Sequence, residues 1–183
     1  MRSVLAINNK RGDAMSILIF LAVAFASIIS LIFLTKVFNE VTTAFKNTDM
    51  IQGDAKALAQ VTKVEGYFVP LIGNGFVFVF FASILGIIIS SFFINTHPGF
   101  FIFFLIVTII AIVIAGTLAN VITEFGTNSS LASTYNLYPA VQAIVNNLPL
   151  IILVTSAIVA IILFSRTGRN DQLWIKISKK NSD

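Results

Sequence analysis

Residues 83–119 read SILGIIISSFFINTHPGFFIFFLIVTIIAIVIAGTLA. Two long apolar blocks, neither holding an Asp, Glu, Lys or Arg, are parted only by Asn-Thr-His-Pro-Gly at 95–99. These five residues are turn formers, and Pro98-Gly99 is a strong break in any regular element. Apolar runs of about 18 residues or more read as membrane spans. Lipid offers no hydrogen bonds to an exposed backbone, so such runs are expected as helices. A transmembrane barrel would need alternating segments of about ten residues, and these blocks do not alternate. Two long helices joined by five residues must be antiparallel neighbours. His97, the chain's single histidine, is therefore expected at a hairpin tip on the membrane surface. It has no second histidine and no cysteine to join it in a metal site or a catalytic triad.

Four such blocks occur in the 183 residues: 14–34, 76–94, 100–119 and 148–164. The mean hydropathy is +0.93 and 11% of residues are charged, against about 25% in soluble domains. The expected fold is all-α, a single membrane domain of four transmembrane helices. Segments 35–75 and 120–147 are expected outside the bilayer, followed by a basic tail at 165–183. The first block, preceded by Lys10 and Arg11, resembles a signal peptide, with Ala24-Phe25-Ala26 in the place of a cleavage site. Its apolar run continues to Leu34, longer than a signal's apolar region, so an uncleaved span is expected.

Charge placement gives an orientation. Arg2, Lys10 and Arg11 against Asp13 leave the start net +2, and the tail is net +3. The 35–75 segment is balanced, and 120–147 carries only Glu124. Four spans put both basic ends on one side, and the positive-inside rule makes that side cytoplasmic or inner. In the tail, Trp174 with Lys176, Lys179 and Lys180 suits an interface rich in anionic headgroups. The same cluster offers nucleic acid a weak site.

The connectors have structure of their own. Leu34, Phe38, Val41 and Phe45 recur at helical spacing, so the first helix is expected to continue past the membrane as an amphipathic arm. A second short helix is expected after Gly53, with Tyr67, Phe68 and Pro70 leading back to the bilayer. TEFGTNSS (123–130) reads as a loop. Tyr135 and Tyr138 are expected at the outer interface, and Asn146, Asn147 and Pro149 predict a kink before the fourth span. Asn128-Ser129-Ser130 matches a glycosylation triplet. Arg11-Gly12-Asp13 matches an adhesion tripeptide whose cytoplasmic placement makes it a coincidence.

Intramembrane ionisable residues mark proton relays and ion pathways, and the spans contain none. The loop acids Glu40, Asp49, Asp54 and Glu65 lack the calcium-loop pattern, and PLIGNG is not followed by the lysine of a phosphate loop. No catalytic residue, metal ligand or cofactor is expected, and the chain is read as not an enzyme. The spans do carry small residues every four positions: Ala22, Ala26 and Ser30; Ala82, Gly86 and Ser90; Ala111, Ala115 and Ala119. Such spacing lets helices approach closely in lipid. These nine are read as helix-packing residues, chiefly within the chain and otherwise toward homo- or hetero-oligomeric partners.

The basic start MRSVLAINNKRGD, the charge-free spans, the HPGF hairpin and the tail SRTGRNDQLWIKISKK together resemble small polytopic structural membrane proteins of bacteriophages with an internal lipid membrane. The resemblance implies a structural role in a virion membrane, with lipids and capsid proteins as partners. It carries no functional residue over. A holin-like pore and an auxiliary subunit of a transport or secretion complex are the alternative readings. The membrane is a host inner membrane or a virion's internal membrane, and the sequence alone leaves source, partner and stoichiometry open.

Overall fold

The computed structural model describes the backbone of residues 12–93, 98–128 and 130–180, and the side chains of 16–93, 101–128 and 130–165. Among the described residues, seven helices follow in order: α1 (Gly12–Lys46), α2 (Asp49–Gln52), α3 (Ala55–Ser91), α4 (Pro98–Thr127), α5 (Ala132–Tyr135), α6 (Pro139–Asn146) and α7 (Leu148–Lys180). Among the described residues there is no strand, and α1, α3, α4 and α7 are each long and apolar enough to cross a membrane. The four predicted blocks fall on these helices one each, the second as far as Ser91. His97 lies outside the described residues, as do the side chains of Trp174, Lys176, Lys179 and Lys180.

The helices outrun the apolar blocks. α1 has 35 residues and α3 has 37, about 52 and 55 Å at 1.5 Å per residue. A hydrocarbon core of about 30 Å takes only about 20 residues. A separate short helix was expected after Gly53. Instead α3 runs unbroken from Ala55 through Pro70 into the apolar block. Pro70 removes one ladder bond, the one to the Gly66 carbonyl, and the rest of the ladder continues on both sides. The start of α3 has a cap that composition did not reveal. Asp54 Oδ1 accepts from the N–H groups of Lys56 (2.8 Å) and Ala57 (3.2 Å), satisfying donors that every helix N-terminus leaves free. α2 is the single turn that reverses the chain between α1 and α3.

Along α1 the inward positions are Ile17, Leu21, Ala24, Ile28, Leu31, Thr35 and Thr42, all buried. With Phe38 they form an unbroken alternation of four- and three-residue steps, the 3.5-residue repeat of a left-handed supercoil. This seam differs from the predicted arm face. Leu34, Val41 and Phe45 are exposed, while Thr35 and Thr42 turn inward. The reason is local chemistry: both threonine hydroxyls find partners, Thr35 at Tyr138 and Thr42 at the Phe38 carbonyl. Hydroxyls that are satisfied no longer oppose burial.

The chain divides into two compact units. The first holds Met1–Leu21, Ala82–Gly116 and Pro149–Asp183. Its core is built from Phe104, Ala111 and Ala115 of α4 with Ile152, Val159 and Leu163 of α7 and Ile17 and Leu21 of α1. The second holds Ala22–Phe81 and Thr117–Leu148. Its core joins Ile28, Leu31 and Ile32 to Phe80, Ile122, Tyr135, Tyr138, Val141 and Val145.

Candidate functional site

In the second unit, polar side chains and two tyrosines converge on the α5–α6 segment. Pro139 opens α6, where a missing N–H costs nothing. Gln142 Nε2 donates to the Tyr135 carbonyl (3.0 Å) and to Asn136 Oδ1 (3.2 Å), which ties the corner between the two helices. Val141, Ile144 and Val145 are buried along one side of α6. The predicted kink falls at Asn147, whose side-chain amide donates to the Ala143 carbonyl at 2.8 Å. Pro149 has no N–H to offer the Val145 carbonyl, so the α6 ladder cannot continue unbroken into α7. Asn128 of the glycosylation triplet is engaged in a turn, its Oδ1 accepting from the N–H and hydroxyl of Ser130 (3.1 and 2.9 Å).

Two tyrosines pin this segment to long helices, and in each case a glycine makes room. Tyr135 lies on Gly126 of α4: a Cβ there would fall 2.2 Å from the ring. Tyr138 lies on Gly73 of α3, where a Cβ would fall 2.8 Å from the ring. Both rings are buried. The Tyr138 hydroxyl shares a hydrogen bond of 2.5 Å with Thr35 Oγ1 of α1. Burial raises the pKa of both phenols, offset in part by Thr123 at Tyr135 and by Thr35 at Tyr138. The sequence marked both tyrosines as interfacial. It gave no sign of the glycines opposite them, because the pairings join positions far apart in the chain. A crevice of about 250 Å³ borders the clasp, lined by Val69, Pro70 and Asn74 on one side and Leu137, Tyr138 and Pro139 on the other.

Beyond the clasp, α1 and α3 run side by side. Phe38 stacks on Phe68 with ring centroids 3.6 Å apart and planes 8° from parallel. Further out, Lys46 is paired with Glu65, and Lys36 pairs with Glu40 along α1 at 3.7 Å. The outward sides of this pair carry apolar residues among their charges. Val37, Val41 and Phe45 of α1 and Val64, Tyr67 and Leu71 of α3 are all exposed, Leu71 at 73%. A groove of about 890 Å³ opens between the two helices, walled by Ala26, Ser30 and Val37 and by Ile72, Gly75 and Val79.

The nine small residues divide by helix. Ala111, Ala115 and Ala119 of α4 are buried. Ala22, Ala26 and Ser30 of α1 and Ala82, Gly86 and Ser90 of α3 are exposed, and a Cβ at Gly86 would meet nothing within 4 Å. On α1 the inward side is taken instead by the Ile17-to-Thr42 seam, which presents larger side chains to the core. Among the described residues, no group of three His, Asp or Glu side chains could hold a metal ion. The comparisons add no relative: no family model, no curated protein and no solved structure matches the chain.

Proposed function

We propose that this chain is a non-enzymatic structural membrane protein. It crosses a bilayer four times, with both ends on the inner or cytoplasmic side, and uses its opposite end to hold a larger assembly. The observation that carries this reading is the exposed apolar side of the α1–α3 pair. The two helices are about 20 Å longer than a hydrocarbon core needs. Their outer arms contain Lys36, Glu40, Lys46, Lys56, Lys63 and Glu65, charges that belong in water. Yet Val37, Val41, Phe45, Val64, Tyr67 and Leu71 stay uncovered on those same arms. An apolar row of this length outside lipid marks a protein contact. Membrane lipids cover the rest, and the basic tail meets anionic headgroups. A capsid protein on a virion's internal membrane suits the assembly role.

The test is site-specific photocrosslinking in native membranes, from Val41 and Leu71 in the arms and from Phe78 and Val113 as lipid-facing controls. The arm positions are expected to capture protein and the controls lipid. Lipid adducts alone at Val41 and Leu71 contradict the assembly role. A holin-like pore is the competing reading, and collapse of the membrane potential on expression would favour it.

A further inference from the structure

Within the first unit, two buried hydroxyls lack a hydrogen-bond partner, as does the Tyr135 hydroxyl in the second unit. Thr108 of α4 is 8% exposed and Ser156 of α7 is 2% exposed. The oxygen of each is sealed from solvent and has no hydrogen-bond partner. Several helical serines and threonines elsewhere bond to their own backbone: Thr42 to the Phe38 carbonyl, Thr62 to that of Leu58, Ser165 to that of Ile162. Such back-bonding is the ordinary resort of a helical hydroxyl. Thr108 and Ser156 do not take it.

The register of α4 against α7 brings the two together. Phe101 meets Phe164 with ring centroids 5.7 Å apart. At the other end of the contact, a Cβ on Gly116 would lie 3.9 Å from Cγ of Pro149. Antiparallel helices pinned at these two pairs set position 108 against 157, within one residue, about 1.5 Å of rise, of Ser156. The faces agree as well. Thr108 lies seven residues after Phe101 and eight before Gly116, and Ser156 lies seven after Pro149 and eight before Phe164. Steps of seven and eight are about 1.9 and 2.2 turns, so both hydroxyls lie toward the sides that the two helices turn to each other.

A buried hydroxyl without a partner costs on the order of 1–3 kcal/mol, and two at one level call for a common remedy. We propose that Thr108 and Ser156 form a binding site for one water molecule between α4 and α7. The water accepts from one hydroxyl and donates to the other. Its second proton would go to a carbonyl one turn earlier on either helix, that of Phe104 or of Ile152. That gives the two to four polar partners that a buried water requires. The inference does not depend on the assembly role proposed above.

The test is water-edited solid-state NMR on the full chain in lipid bilayers. Polarisation from water is expected to reach the side chains of Thr108 and Ser156 but not those of buried neighbours Ala111 and Val159. Thr108→Val, which keeps the shape, is expected to abolish the transfer at Ser156, and Ser156→Ala the transfer at Thr108. Absence of transfer at both residues in the unaltered chain overturns the proposal. So does a variant in which the remaining hydroxyl stays as hydrated as before.

Discussion

The Tyr138 phenol and the Thr35 hydroxyl meet at 2.5 Å, tying α5–α6 to α1 across 103 positions of sequence. The bond is buried, so its two ends are not equivalent to exposed polar groups. Tyr138→Phe leaves a threonine hydroxyl that can turn to the carbonyls of its own helix, and is expected to cost about 1 kcal/mol. Thr35→Val leaves a buried phenol without its partner and is expected to cost more, about 2 kcal/mol. The double variant is expected to be less destabilised than the sum of the two. Unfolding in mixed detergent micelles measures all three, and strict additivity would show that the pair does not interact.

The glycines beneath the tyrosines give a sharper contrast. Gly126→Ala and Gly73→Ala place a methyl inside the ring positions of Tyr135 and Tyr138, and overpacking of this kind costs about 1–3 kcal/mol. Gly66 and Gly75 lie on the same α3 helix with open space around them. Gly66→Ala is expected to be neutral or stabilising, since alanine is the better helix former. Equal melting temperatures for the Gly73 and Gly66 variants would remove the argument for the clasp.

How much of this was legible beforehand can be read from particular residues. The four apolar blocks announced their helices, because long uncharged runs admit few other solutions. Asn147 and Pro149 announced the break before α7. The arm face expected through Leu34, Phe38, Val41 and Phe45 keeps only Phe38 on the inward side; Thr35 and Thr42 turn inward instead, and they look polar until their partners are seen. Gly73 and Gly126 carried no signal at all: their role is defined by rings from elsewhere in the chain. The outward placement of Ala22, Ala26, Ala82 and Gly86 was equally hidden, since spacing shows that small residues share a face but not which way the face points.

That placement makes Gly86 informative. Gly86→Leu adds a side chain at an exposed position where a Cβ meets nothing within 4 Å. The expected outcome is unchanged thermal stability of the single chain and a changed size of the assembly in native mass spectrometry. Ala115→Leu is the counterpart. Ala115 is fully buried, so overfilling is expected to destabilise the fold by about 1–3 kcal/mol. A Gly86 variant that lost fold stability would put that face inside the chain.

Alkaline titration probes the clasp from another side. Burial raises the pKa of Tyr135 and Tyr138 above the ordinary phenol value, about 10 in an unfolded chain. Their contribution to stability is therefore complete below that pH and declines as pH rises toward the folded-state values. Stability is expected to begin falling near pH 10, and a Tyr135→Phe, Tyr138→Phe double variant to lose most of that dependence. An identical alkaline slope in the double variant would assign it to other groups.

The proposed arrangement of four crossings would leave both chain ends on one face of the bilayer and the α1–α3 turn on the other. The chain has no cysteine, so single cysteines at Ser3, Met50 and Ser182 can be labelled without a background. In sealed, oriented vesicles, an impermeant thiol reagent is expected to reach Cys introduced at Ser3 and Ser182 from the same side and at Met50 only from the opposite side. Labelling of Ser3 and Ser182 variants from opposite sides, or of Met50 and Ser3 variants from the same side, would contradict it.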